Sequence, residues 1–270
     1  MDYLSREGAP LPADLWNKID ATIVSTAKSA LVGRRFLPLY GPLGVGVQSI
    51  NIDQYGNVSE TEGSPSITTG RQYVELPVLY NDFTLLWRDI EVSERLDLPV
   101  DLSAAVNAAI TLARKEDELI FLGNKSLGYE GLLTAKGVTR IQKGDWREGE
   151  TPVTDVCQGL TSFSEYGLIG KQALVLSQDL YLQLQRIQPG TGITEIERVK
   201  RLVDGRLFVT PVMGLNKAVL INAQPQFIDL AVGQDLDTAY LETKDLSHVF
   251  RVLETVLLRI KCKNAVVVFE

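Results

Sequence analysis

Nucleophilic catalysis, metal binding and cofactor contact draw on few side-chain types, and this sequence is poor in them: one histidine, His248, two cysteines, Cys157 and Cys262, and three tryptophans among 270 residues. His248 lies in LSHVF between apolar neighbours, the setting of a structural histidine. No serine sits in a G-x-S-x-G elbow, and one histidine cannot supply a His-Glu-x-x-His helix, so a hydrolase or protease reading lacks its parts. The two cysteines are far apart and too few for a metal knuckle, which leaves them as buried or incidental thiols and predicts no metal site. Glycines 41, 44 and 46 in FLPLYGPLGVGVQSI are followed by no Lys-Ser/Thr pair and do not fit a dinucleotide fingerprint, so they predict no nucleotide loop. Three adjacent carboxylates, Glu116, Asp117 and Glu118, remain. They are either a solvated helix face or partners for basic groups brought by another element or subunit.

Those carboxylates belong to the longest regular stretch in the chain. From Val100 to Leu133, Asp101 and Ser103 can cap a helix start and Gly123 can end it, while Val106, Ala109, Ile110, Ala113, Ile120 and Phe121 recur at three- and four-residue steps. A helix of some twenty residues spans about 30 Å, enough for the spine of a domain. Upstream, Leu15, Ile19, Ile23, Ala27 and Leu31 form an apolar stripe on a helix running from Pro12 to Gly33, and this stripe has to be covered. The first ten residues contain Gly8 and Pro10 and read as an arm whose order depends on what it touches. Alternation of Ile50, Ile52, Val74, Leu76, Val78, Phe83, Leu85 and Trp87 on either side of a polar tip, residues 56–70, predicts a long two-stranded arm. A lone hairpin is marginal in water, so this arm is expected to be completed by a neighbouring molecule. Residues 128–213 alternate helices and strands and predict a second lobe, and the β-branched last third is expected to return to the first lobe as sheet. The fold class is therefore α+β.

Composition excludes several functions. A hydrophobic content of 45% supports a large core, and 27 basic against 34 acidic residues give a net charge of -7, which disfavours a phosphate-tracking nucleic-acid binder. No apolar run approaches the ~20 residues needed to cross a bilayer, and the start lacks the organisation of a secretion signal, so a soluble, cytoplasmic protein without a membrane partner is expected.

Taken in order, APLPADLWNKID, GRRFLPLYGPLG, VDLSAAV with EDELIFLGN and GLL, GQDLDTAY and LETVLLRI run nearly the length of the chain. In this order and spacing the sequence resembles the type 1 encapsulin shell proteins, the linocin-like group related to tailed-phage major capsid proteins. The resemblance implies the Hong Kong 97-type capsid fold. Residues 1–47 (arm and first helix), 74–127 (with the spine) and 214–270 would form the peripheral domain, 48–73 the extended E-loop, and 128–213 the axial domain. It also implies no enzyme but a structural protein that self-assembles into an icosahedral nanocompartment, by size the smallest (T=1) shell of about 60 copies. Such a shell encloses ferritin-like, peroxidase or related iron-handling and oxidative-stress proteins through their C-terminal tails.

Carried over by position, the cargo groove falls on Leu15, Ile19, Ile23, Phe36, Pro38, Leu236 and Thr238, with Arg34 at its edge and some of these side chains simply core. Pro38 stands where relatives can carry an acidic residue. The pore loop falls on Gln188, Pro189, Gly190, Thr191, Gly192, Ile193, Thr194 and Glu195, a polar, weakly charged turn to which Glu195 would add a ring of charge. No cofactor is expected in the shell, except that some relatives hold a flavin through a Trp and an Arg. Here Trp87 lies one position before the matching site, Arg88, and Tyr80 stands where the Arg would be. A phage or prophage capsid protein shares the fold; the short amphipathic first helix and the absence of a long basic stretch favour the compartment.

Overall fold

The computed structural model describes residues 3–52, 72–190 and 192–270 together with the backbone of 58–59 and 67–68. Most of the tip read from sequence as the E-loop end, and Thr191 of the expected pore turn, lie outside the described residues.

After the arm, α1 (Ala13–Ala30) buries Leu15, Trp16, Ile19, Ile23 and Ala27, and Asp14 in its first turn and Lys28 in its last complement its dipole. A 3-10 turn at Gly33–Arg35 leads to β1 (Leu39–Tyr40). β2 (Ser49–Asn51), β3 (Val58–Ser59), β4 (Ile67–Thr68) and β5 (Tyr73–Glu75) form two antiparallel ladders, β2 with β5 and β3 with β4, the nested pairs of a hairpin. β6 (Val78–Leu85) and α2 (Trp87–Leu96) follow. The alternation of Phe83, Leu85 and Trp87 had predicted strand through Trp87; the strand stops at Leu85 and a helix begins.

The spine is α3 (Ser103–Phe121), whose first turn is capped by Asp101 Oδ1 accepting from the Ser103 amide at 2.9 Å. Next come β7 (Gly123–Asn124), β8 (Tyr129–Glu130), β9 (Thr139–Ile141), α4 (Thr151–Glu165), β10 (Gln172–Leu176), α5 (Gln178–Gln183), α6 (Glu195–Leu202) and β11 (Leu207–Val209). The chain ends through β12 (Ala218–Asn222), β13 (Ile228–Val232), β14 (Asp237–Lys244), β15 (Ser247–Ile260) and β16 (Val266–Phe269).

Two five-stranded sheets organise these elements. In the first, β15 is long enough to serve three antiparallel neighbours: β6 pairs with its residues 248–255, β14 with 247–253 and β13 with 256–260, while β1 adds parallel to β13. α1 and α3 cover this sheet through Leu15, Trp16, Ile19, Ile23, Leu112, Phe83, Leu85, Phe250 and Val252. Phe250 stacks on Phe83 at 5.0 Å and meets Trp16 edge-on at 5.5 Å, pairs worth about 0.5–1.5 kcal/mol each beyond their burial.

The second sheet has the order β11-β10-β12-β16-β9. It is not confined to residues 128–213, since β12 and β16 come from the stretch expected to return to the first lobe. The reason lies in their sequences: AVLIN and VVVF are buried at every position, and only a sheet covered on both faces can bury such runs. Successive residues accordingly go to opposite sides. Leu174, Leu220 and Val267 meet Trp146, Phe163 and Leu180 on one face, whereas Val175, Val219 and Val268 join Phe36, Phe121 and Leu230 on the other. That second face joins the two lobes in one core.

Candidate functional site

The side chains assigned to a docking groove on α1 are mostly interior. Leu15, Ile19 and Ile23 are packed against α3 and the first sheet, and Phe36 lies in the core between the sheets, all at most 5% exposed. The helix has a single apolar stripe and the protein's own sheet uses all of it. Its outward face carries Asn17, Lys18, Ser25 and Lys28, with only the small Ala21 among them apolar. Thr238 is buried, and its carbonyl accepts from Arg6 Nε at 2.9 Å. Leu236, half-buried over Ala27, Leu31 and Ala113, and Pro38, half-buried, are the members of the expected groove that reach the surface.

Arg34, expected at the groove's edge, points inward. It holds Glu116 of α3 through Nε at 2.9 Å and Nη2 at 2.8 Å, Glu254 of β15 through Nη2 at 2.6 Å and Asp235 through Nη1 at 2.6 Å. The Glu116 and Glu254 side chains are 0% and 1% exposed, so three segments remote in sequence are tied by one guanidinium. Burial works against the charge of Arg34, yet its bonds to Glu116 and the nearby Glu254 hold its pKa above the ordinary value. Burial, then the Glu116 charge, drives the Glu254 carboxyl well above its usual range despite Arg34. Beside it Asp117 accepts the amides of Val32 at 3.0 Å and Gly33 at 2.9 Å, tying the end of the first helix to the spine. Burial outweighs those bonds and pushes its pKa up to about 6. Of the two readings left open for the acidic trio, partnership with a basic group of another element holds for Glu116, which meets Arg34, while Asp117 is buried against backbone amides. Glu118 sits on the surface with Arg114 at 2.9 Å.

The aromatic and basic residues near the arm's base are Tyr80, Trp87 and Arg88. Tyr80 is already sandwiched: the Arg251 guanidinium lies 4.0 Å from its ring centroid, fixed there by Asp82 at 2.7 Å, and the Lys115 ammonium lies 5.9 Å away. Trp87 is half-open, with Arg88 5.5 Å over its ring. At the position where the resemblance places an arginine, Tyr80 carries Arg251 on its ring, while Trp87 keeps an open face beside Arg88. Sequence reasoning missed α2 itself. None of its residues is buried; Ile90 packs partly against the core, while Val92 and Leu96, with Leu86 and Leu98 at its two ends, are exposed to solvent.

In the turn assigned to a pore, Ile187 bridges to Thr194 and Gln188 donates its amide to the Ile193 carbonyl at 3.0 Å. Pro189, Gly190 and Gly192 form an exposed tip, whereas Gln188 is buried and Ile193 and Thr194 are half-buried. Glu195 is fully buried against Arg198, which reaches on to Glu150 at 3.1 Å, so it cannot add a ring of charge to an opening. Its carboxylate is spent at the start of α6. His248 faces the Tyr240 hydroxyl at 3.3 Å, and burial lowers its pKa, favouring the neutral ring. Among the described residues no group of three or more His, Cys, Asp or Glu is placed to hold a metal ion, and no helix is long and apolar enough to cross a membrane.

Residues 1–257 match the family described as the encapsulating protein for peroxidase, Linocin_M18. The chain is 38% identical to the type 1 encapsulin shell protein EncA of Myxococcus xanthus, over 100% of this chain and 96% of that one. In three dimensions it is similar to the virus-like particle protein of Pyrococcus furiosus, with a TM-score of 0.75 at 20% identity over 96% of this chain and 100% of that one. It is also similar to the capsid of the Myoviridae phage XM1, with a TM-score of 0.62 at 14% identity over 87% and 90%. At those identities the two structures establish the fold, the Hong Kong 97-type capsid fold.

Proposed function

Because the chain belongs to the family of encapsulin shell proteins, we propose that about 60 copies of it, the equivalent positions of the smallest icosahedral shell, close around a hollow that holds cargo proteins by their C-terminal tails. The observation that carries assembly is α2. Of its 10 residues none is buried and Ile90 packs only partly against the core, so Val92 and Leu96, with Leu86 and Leu98 at its two ends, leave an apolar surface that a neighbouring copy covers. The hairpin of β2 to β5 supports the same reading, being two ladders with no further strand beside them among the described residues.

The family's description as encapsulating a peroxidase makes a peroxidase, or another iron-handling or oxidative-stress protein such as a ferritin-like one, the cargo class. A short tail would seat on the wall near Leu236, at the start of β14 beside α1. The uncharged tip Pro189–Gly190–Gly192 suits a pore for ions and small solutes. The wall itself is read as a cytoplasmic container that does no chemistry of its own, a reading supported by Tyr80 standing, stacked with Arg251, where a flavin-holding arginine would be and by His248, the one histidine, facing the Tyr240 hydroxyl. The net charge of -7 favours protein cargo over packaged nucleic acid.

Electron microscopy of the purified full chain tests the proposal: closed particles of one diameter are expected, and monomers or dimers alone would overturn it. Mass spectrometry of proteins that copurify with the particles identifies the cargo. Nuclease-resistant nucleic acid in its place would turn the reading to a phage capsid.

A further inference from the structure

Residues 3–11 are neither helix nor strand, yet they are fastened at several points. The Tyr240 amide of β14 donates to the Leu4 carbonyl at 2.8 Å, adding one rung on an edge strand of the first sheet. Two residues on, the Arg6 guanidinium bridges Asp20 of α1, at 2.7 and 3.0 Å, and Asp237 of β14, at 2.7 Å. Its Nε donates to the Thr238 carbonyl at 2.9 Å and its plane lies 4.9 Å from the Trp16 ring centroid. Ala9 and Leu11 rest on the core beneath α1.

A strand edge, an acid pair and an aromatic face are what an extended peptide bearing one cation needs. The arm is also loosely built for a permanent strut. It has one backbone rung, Ser5 sits at φ 53, a left-handed conformation unfavourable to a residue with a side chain, and Arg6 and its two acids are each about a third exposed, so water competes for them.

We infer that Trp16, Asp20, Asp237, Thr238 and Tyr240 form a peptide-binding seat, that the chain's own arm is its intramolecular occupant, and that an extended partner segment carrying one arginine or lysine displaces the arm. Only the partner's origin, the tail of an enclosed protein, rests on the container reading. A tethered arm competes at an effective concentration of order millimolar, so it sets the threshold a tail must exceed before it is held.

The test uses the arm's own sequence in trans. YLSREGAPL is fused to the C-terminus of a fluorescent protein and coexpressed with the full chain, with its Arg6→Ala variant, and with a chain lacking residues 3–9; reporter per particle is measured after purification. The variant and deleted particles are expected to hold about tenfold more reporter than the wild type, in keeping with the loss of one charge-assisted anchor. A reporter tail whose arginine is replaced by alanine should fall to background in all three. Equal loading everywhere, no loading of the deleted particles, or failure of both altered chains to fold would overturn the inference, the last because it makes the arm a strut. If the wild type forms no particles, the container reading falls and the seat is read separately, from anisotropy of the labelled nonapeptide on the deleted chain.

Discussion

Arg34 shows how one side chain decides whether a junction is an asset or a liability. With it, Glu116 and Glu254 are buried and paired; without it, two carboxylates 0% and 1% exposed face each other. Arg34→Ala is therefore expected to cost about 3–5 kcal/mol, read as a lowered urea midpoint, whereas Glu254→Gln, which removes surplus negative charge while leaving an acceptor for Arg34, should be close to neutral. The same cluster gives a sign for pH. Both Glu254 and Asp117 have folded pKa values above their unfolded ones, so their contribution is complete at acid pH below the ordinary carboxylate range and is lost as pH rises through the folded values, about 6 for Asp117. Stability measured by denaturant should fall between about pH 4 and 6 in the Asp117 share of the curve, and Asp117→Asn should flatten that interval. An unchanged slope in that variant would assign the dependence to other groups.

At the scale of elements, the end of the spine is the tightest join. Gly123 adopts φ +68, and a Cβ there would run into the Tyr129 carbonyl and the Gly131 amide; one on Gly131 would meet the backbone of Leu122 and Gly123. These are backbone atoms, which cannot turn aside. Gly123→Ala is expected to destabilise by roughly 2 kcal/mol or more, visible as a lower thermal midpoint. The helix it ends was legible because its apolar residues keep helical spacing over five turns, and the strand character of β10, β12 and β16 because of their apolar, β-branched runs, but not that β12 and β16 join the second sheet. α2 was not, since it carries no buried stripe for periodicity to report. The stripe of α1 was legible in part: packing against the spine is the ordinary reading of Leu15, Ile19 and Ile23 and α3 does cover them, whereas the share taken by β6 and β15, which leaves no groove there for a visiting tail, does not show in the spacing. Glu116 and Asp117 advertised a need for partners. Arg34, 82 residues away from Glu116, could be matched to it only in three dimensions.

For the whole molecule, the surface left uncovered is the informative part. Val92 and Leu96 are 49% and 60% exposed on a helix of which, among the described residues, only Ile90 packs partly against the core. Val92→Asp with Leu96→Asp should leave the fold intact by circular dichroism while shifting the sedimentation profile from particles to single chains, because each copy loses contact energy of about 2 kcal/mol or more and the loss repeats around the shell. Particles as abundant as the wild type's would place the contact elsewhere.

In the second sheet β16 lies between β12 and β9, although it follows β9 by more than a hundred residues. During translation every other strand of that sheet leaves the ribosome first and must wait, its edges open, for Val266–Phe269 to slot into the gap. A polypeptide interrupted before that point has no means of closing its second layer. A unit of the wall therefore has a complete second layer only once Val266–Phe269 has been made.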